Sequence, residues 1–89
     1  METLSLKEVG QRLARFLLAE ARRNGTPRDN GISVNLTQTN QQIAARVGSV
    51  REVISRAFSR LQQDGLIVVE GRRLIIPDEE ALASYAEQG

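Results

Sequence analysis

Arg51, Glu52, Ser55 and Arg56 are the side chains whose types and spacing suggest chemistry. Spacings of three and four residues put Glu52, Ser55 and Arg56 on one face of a helix, with Arg51 stacked near Ser55. A guanidinium presents a planar fork of donors that matches guanine O6 and N7, and a carboxylate accepts from the cytosine amino group. A good bidentate pair contributes roughly 1–3 kcal/mol of base discrimination. Glu52 is the informative member, because a helix that only neutralised phosphate would avoid a carboxylate on that face. A plainer reading stands beside this one. Glu52 and Arg56, four residues apart, also suit a solvent-exposed helix salt bridge, which adds only ~0.3–0.5 kcal/mol. Periodicity alone does not separate the two, and the flanking elements favour base reading.

Those elements are two helices and a tight turn. Thr39 with Gln42 three residues on forms a capping box, the signature of a helix start. Ile43, Ala44 and Val47 make the buried stripe of this short helix, while Ala45 and Arg46 face out. Gly48 follows directly, where the backbone requires a positive φ that glycine takes at least cost. A second helix then starts at Ser49 or Val50. Its apolar residues Val50, Val53, Ile54, Ala57, Phe58 and Leu61 fall 3, 4, 7, 8 and 11 residues from the first of them, a near-complete helical ladder. Asp64 and Gly65 end it, with Leu66 supplying the apolar contact beyond the cap. The ladder fixes the roll of the helix, and so aims Arg51, Glu52, Ser55 and Arg56 outward.

The rest of the chain supplies the support. Ser5 and Glu8 form a capping box for a first helix, with Val9, Leu13, Phe16, Leu17 and Ala21 as its stripe and Arg12, Arg15, Arg22 and Arg23 off it. Asn24, Gly25 and Pro27 stop that helix, and residues 26–31 read as a polar loop. Residues 32–36 alternate apolar and polar, the pattern of a half-buried strand that pairs with something later in the chain. Residues 67–70 and 73–76 flank Gly71 and Arg72 as a β-hairpin ended by Pro77. Asp78 caps a last short helix, with Glu79 and Glu80 in its favourable first turn and Leu82, Tyr85 and Ala86 facing inward. Helix, strand, helix, helix, hairpin, helix is the order of a mainly α fold with a small β-hairpin wing, a winged helix-turn-helix.

Composition bounds the alternatives. Eighty-nine residues suit one small domain, with the helix-turn-helix at 39–64 and the wing at 66–77. The chain has no Cys and no His, which removes disulfides, thiolate metal sites, the usual general base and the commonest zinc ligand. Its carboxylates cluster only at Asp78, Glu79 and Glu80, where a helix N-terminus explains them, so an enzyme is not expected. No apolar run approaches the ~20 residues of a membrane-spanning helix, and the N-terminus lacks the pattern of a signal peptide. A cytoplasmic protein without membrane contact is expected. The net charge of +1 conceals an asymmetry: residues 1–77 hold all 12 basic residues and seven acidic ones, whereas residues 78–89 hold four acidic residues and no basic one. Eleven of the 12 basic residues are Arg, the residue suited to forked recognition of phosphate and guanine.

The run from Gln41 through Ile43, Arg46, Gly48, Arg51, Glu52 and Ser55 to Arg56, with Leu61, Asp64, Gly65, Leu66 and Ile67 after it, resembles the DNA-binding domain of Crp/Fnr-type transcription regulators. The resemblance implies that Glu52 and Arg56 read the core of a TGA-like half-site. One branch of the family adds an Arg before the Glu, which matches Arg51, and another a Ser before the second Arg, which matches Ser55. It further implies phosphate contacts at Thr39, Asn40, Gln41 and Ser49 near the first helix and the turn, and at Arg72 and Arg73 on the wing. Val50 and Val53 stand where some members carry Ser and Thr, so two hydroxyl contacts to phosphate are absent.

The same resemblance implies double-stranded DNA with a palindromic operator as the partner, a homodimer in a longer parent protein, and RNA polymerase as a further partner. Family members carry a sensor domain and a dimerisation helix ahead of this region, so this chain would be the output half, beginning near the hinge before Leu6. No cofactor is expected within it, and any effector ligand would belong to the sensor. The rival is a winged helix used as a protein-interaction module, in which Arg51 and Arg56 are rim charges and the hairpin or the Phe58 side carries the contact. For Arg72 and Arg73 the plainer role is to keep a strand edge soluble.

Overall fold

The long first helix follows from its ends and its stripe. In the computed structural model, which describes residues 5–87, α1 (Leu6–Asn24) starts on a complete capping box: the Ser5 hydroxyl accepts from the Glu8 N–H, and the Glu8 carboxylate accepts from the Ser5 N–H. The hinge expected before Leu6 lies mostly outside the described residues. Val9, Leu13, Ala14, Leu17, Leu18 and Ala21 bury one face of α1 against the rest of the molecule. Gly25 ends the helix in an extended conformation; a Cβ there would lie 2.3 Å from the Ala21 carbonyl oxygen.

Residues 26–31 depart from the loop expected of them. Thr26–Arg28 is a strand, β1, turning at residues 29 and 30 into β2 (Gly31–Asn35). Its three residues are all exposed, so no alternation of apolar and polar marks it; backbone pairing to β2 alone makes it a strand. Pro27 sits at the sheet edge, where a missing N–H is tolerated.

α2 (Asn40–Val47) and α3 (Arg51–Gln63) follow, then the hairpin β3 (Val68–Glu70) and β4 (Arg73–Ile76), then α4 (Glu79–Glu87). β2 pairs with β4 in antiparallel register, Val34 opposite Leu74, giving a four-stranded sheet in the order β1-β2-β4-β3. The strand over residues 32–36 therefore does find its partner late in the chain. α1 packs chiefly on α3 and α4, and Ile43, Ile54, Leu61, Leu74, Ile76 and Leu82 meet it in one fully buried core. Each such side chain contributes roughly 1.5–3 kcal/mol by leaving water. Asp78 caps α4 as expected, its Oδ1 accepting from the N–H groups of Glu80 and Ala81 at 3.0 and 3.3 Å. Tyr85 is only half-buried; its hydroxyl lies over Gly10 of α1, where a Cβ would sit 2.7 Å from it. No helix among the described residues is long and apolar enough to cross a membrane.

Candidate nucleic-acid interface

The interface is assembled on α2, the Gly48 turn, α3 and the wing. Thr39 and Gln42 satisfy each other's backbone at 2.9 and 3.1 Å, which fixes where α2 begins. The Thr39 hydroxyl oxygen accepts in that box, so its O–H remains available to donate. Gly48 ends α2 with φ 86°, and the Gly48 and Ser49 N–H groups both donate to the Ala44 carbonyl at 2.9 Å. α1 secures the same corner: Arg12, off the apolar stripe, donates from Nη1 to the Val47 carbonyl at 3.2 Å. Arg46 lies over the Phe16 ring at 5.8 Å, tying the outer face of α2 to α1.

α3 begins at Arg51, one or two residues later than the pattern of apolar residues suggested. Val50 is its N-cap, with φ −117° and ψ 158°, so helical periodicity does not apply to it, and its side chain is 61% exposed instead of buried. The buried ladder is Ile54, Ala57 and Leu61, flanked by half-buried Val53 and Phe58. The roll is the one expected: Arg51, Glu52, Ser55 and Arg56 are all exposed on the first turns of α3. Arg56 Nη2 donates to Glu52 Oε1 at 3.1 Å, with the two side chains 69% and 76% exposed. The salt bridge of the plainer reading thus exists, and it presents a carboxylate and a guanidinium side by side to solvent. At its far end α3 closes with Gly65 at φ 75°; the Leu66 N–H donates to Leu61 O and the Gly65 N–H to Gln62 O, both at 3.0 Å.

The residues expected to meet phosphate fall into separate places. Thr39, Asn40 and Arg72 line one open cleft of about 530 Å³ between the start of α2 and the wing turn. Gln41 and Ser49 line a different notch, between α2 and the start of α3, together with Val50 and Arg51. Arg73 is exposed on β4 between Asn35 and Glu70, and borders neither. The Arg72 carbonyl accepts from the Leu36 N–H at 2.8 Å, which holds the wing turn against the strand leading into α2. A third groove links Asn40, Ser55, Ser59 and Gln62 to Val69 and Gly71, so α3 and the wing face each other across it.

Three contacts here escape sequence reasoning. Arg12 on Val47 and Arg15 on the Ala86 carbonyl at 2.9 Å join residues 35 and 71 positions apart. Gln62 accepts the Val69 N–H at 2.9 Å, bridging α3 to the outer wing strand. None has a local signal; each needs the tertiary arrangement first.

Two helices meeting at a glycine turn, the second exposed at its start and flanked by a β-hairpin, define a winged helix-turn-helix. The chain belongs to the Crp-like helix-turn-helix domain family, which it matches over residues 11–85. It is 34% identical to the global nitrogen regulator of Synechococcus elongatus over 83 residues, 93% of this chain and 37% of that protein. It is 35% identical, with the same coverage, to the CRP-like cAMP-activated global transcriptional regulator of Mycobacterium tuberculosis. Among solved structures, a mutant of CooA from Carboxydothermus hydrogenoformans superposes with a TM-score of 0.81 at 26% identity, over 89% of this chain and 37% of that one. A CRP-family transcriptional regulator from Thermus thermophilus superposes with a TM-score of 0.76 at 31% identity, over 98% of this chain and 43% of that one. The chain therefore spans a little over a third of the length of the curated relatives it matches. It is a DNA-binding domain of the transcription-regulator class, and the curated relatives named above are regulators.

Proposed function

We propose that the chain reads a TGA-like half-site in the major groove through Arg51, Glu52, Ser55 and Arg56. The observation that carries this is the exposed Glu52–Arg56 pair on the first turns of α3, where a recognition helix enters the groove. Glu52 offers an acceptor for a cytosine amino group and Arg56 a fork for guanine O6 and N7. Thr39, Asn40 and Arg72 hold one stretch of backbone phosphate in their shared cleft, where the N-terminus of α2 also favours an anion. Gln41 and Ser49 serve a second phosphate beside the turn, and Arg73 a position further up the wing. In a parent homodimer two copies would address a palindromic operator, their recognition helices about 34 Å apart. RNA polymerase is the natural further partner of such a regulator.

A mobility-shift series on mixed-sequence and TGA-containing duplexes, in rising salt, tests the reading. Binding is expected to be tightest at low salt, to weaken steeply as salt rises, and to favour the TGA-containing duplex. Absence of binding to any duplex at low salt, with the chain folded, would leave the protein-interaction reading in its place. That reading has one observation in its favour: Val68 and Val69 on the wing are 42% and 38% exposed.

A further inference from the structure

The wing is joined to the domain on both of its sides. On one, β3 pairs with β4, and the Leu36 N–H holds the Arg72 carbonyl at 2.8 Å. The other side of β3 is a sheet edge, where outward N–H groups ordinarily face water. Here the Val69 N–H instead meets Gln62 Oε1 at 2.9 Å. Gln62 stands in the last turn of α3 and is itself exposed, so it adds nothing to the core. It lies along one flank of α3 with Ser59 and Ser55, three and seven residues earlier, and all three border the groove that separates α3 from the wing. Gly71, two residues beyond Val69, lines that groove too, and Arg72 follows at the tip.

We propose that Gln62 is a positioning residue that sets the wing at a fixed distance from the recognition helix, so that Arg72 meets the DNA backbone in register with the bases that Glu52 and Arg56 address. The inference rests on the DNA reading above and adds a residue to it. With the clasp closed, the wing tip is held from both sides and Arg72 reaches its phosphate at little cost in ordering. With it open, the wing is held only through β4 and the Leu36–Arg72 bond, and the tip samples positions in which the Arg72 side chain misses that phosphate. Gln62 needs no contact with DNA to do this.

The test uses Gln62→Met, which keeps the unbranched length and helix propensity but has no amide acceptor, with Gln62→Ala as a second variant. Two readouts separate the clasp from the DNA reading. Without DNA, exchange of the Val69 amide should quicken by about two- to tenfold, the range for one lost hydrogen bond, while Leu74 on β4 stays unchanged. Equal Val69 rates in wild type and both variants overturn the clasp and leave the DNA reading untouched. With a labelled mixed-sequence duplex, Gln62→Met should lower the salt slope of binding by up to about one. The same substitution made on an Arg72→Ala background should change the slope no further, because both act through one contact. A slope that stays at the wild-type value, or losses that add across the two positions, overturns the positioning role. Failure of the folded wild-type chain to bind at all would remove the DNA reading, and the positioning role with it.

Discussion

Arg56→Ala separates the two roles its side chain can play. In the free protein Arg56 bonds Glu52 at 3.1 Å with both side chains mostly in water. Such a pair contributes ~0.3–0.5 kcal/mol to folding. For a domain of this size, 1 kcal/mol moves Tm by about 4–8 °C, so the variant should melt no more than about 4 °C below wild type. A bidentate contact to guanine contributes roughly 1–3 kcal/mol, so affinity for the preferred duplex should fall by about 5- to 150-fold. The fold and the binding therefore respond on different scales. Fluorescence anisotropy against duplexes that differ at single base pairs of the half-site measures the second, and thermal melting by circular dichroism the first. Preference should flatten at one base pair and persist at the others. Equal weakening on every sequence would assign Arg56 to phosphate and refute base reading. A fall in Tm well beyond 4 °C would show a structural role that the exposed pair gives no reason to expect.

Three other substitutions test the scaffold and the wing. Arg72→Ala should weaken binding to all sequences alike and lower the salt slope by about one; a sequence-selective loss in the same anisotropy series would contradict its place at the phosphate. Gly48→Ala should cost roughly 1–2 kcal/mol by urea denaturation, because φ 86° is strained for any side chain while the nearest atom to an added Cβ is Arg12 Nη1 at 3.4 Å. A neutral result would mean that the turn relaxes without strain. Leu61→Ala, at a fully buried position of α3 in the core, should cost about 2–5 kcal/mol, and a midpoint unchanged in urea would contradict its place in the core.

What the sequence reveals depends on how local each cause is. Both capping boxes, at Ser5 with Glu8 and at Thr39 with Gln42, are local and form as expected. The same holds for the positive φ at Gly48, for the helix end at Gly65, and for the roll of α3 read from Ile54, Ala57 and Leu61. Val50 departs from its expected place in the buried ladder because apolar spacing alone cannot tell a cap from the first turn; its extended φ and ψ put it outside the helix. β1 carries no pattern, because exposed Thr26, Pro27 and Arg28 become a strand only by pairing with β2. The four candidate base readers could be placed together from spacing, since one helix carries them all. Grouping Thr39 and Asn40 with Arg72, and separating them from Gln41 and Ser49, required the distance between α2 and the wing. The bridges made by Arg12, Arg15 and Gln62 are tertiary in the same sense.

Selection of bound duplexes from a random pool tests the central claim most directly. The chain, alone or joined as a dimer, should enrich sequences that share a TGA-like core, and the dimer should enrich inverted repeats with half-site centres about one helical turn apart. Repeating the selection with Glu52→Ala should relax one position of that core. Recovery of duplexes with no common sequence, from a folded chain that binds them, would show that α3 meets only the backbone, and would contradict the assignment of Arg51, Glu52, Ser55 and Arg56 as base readers.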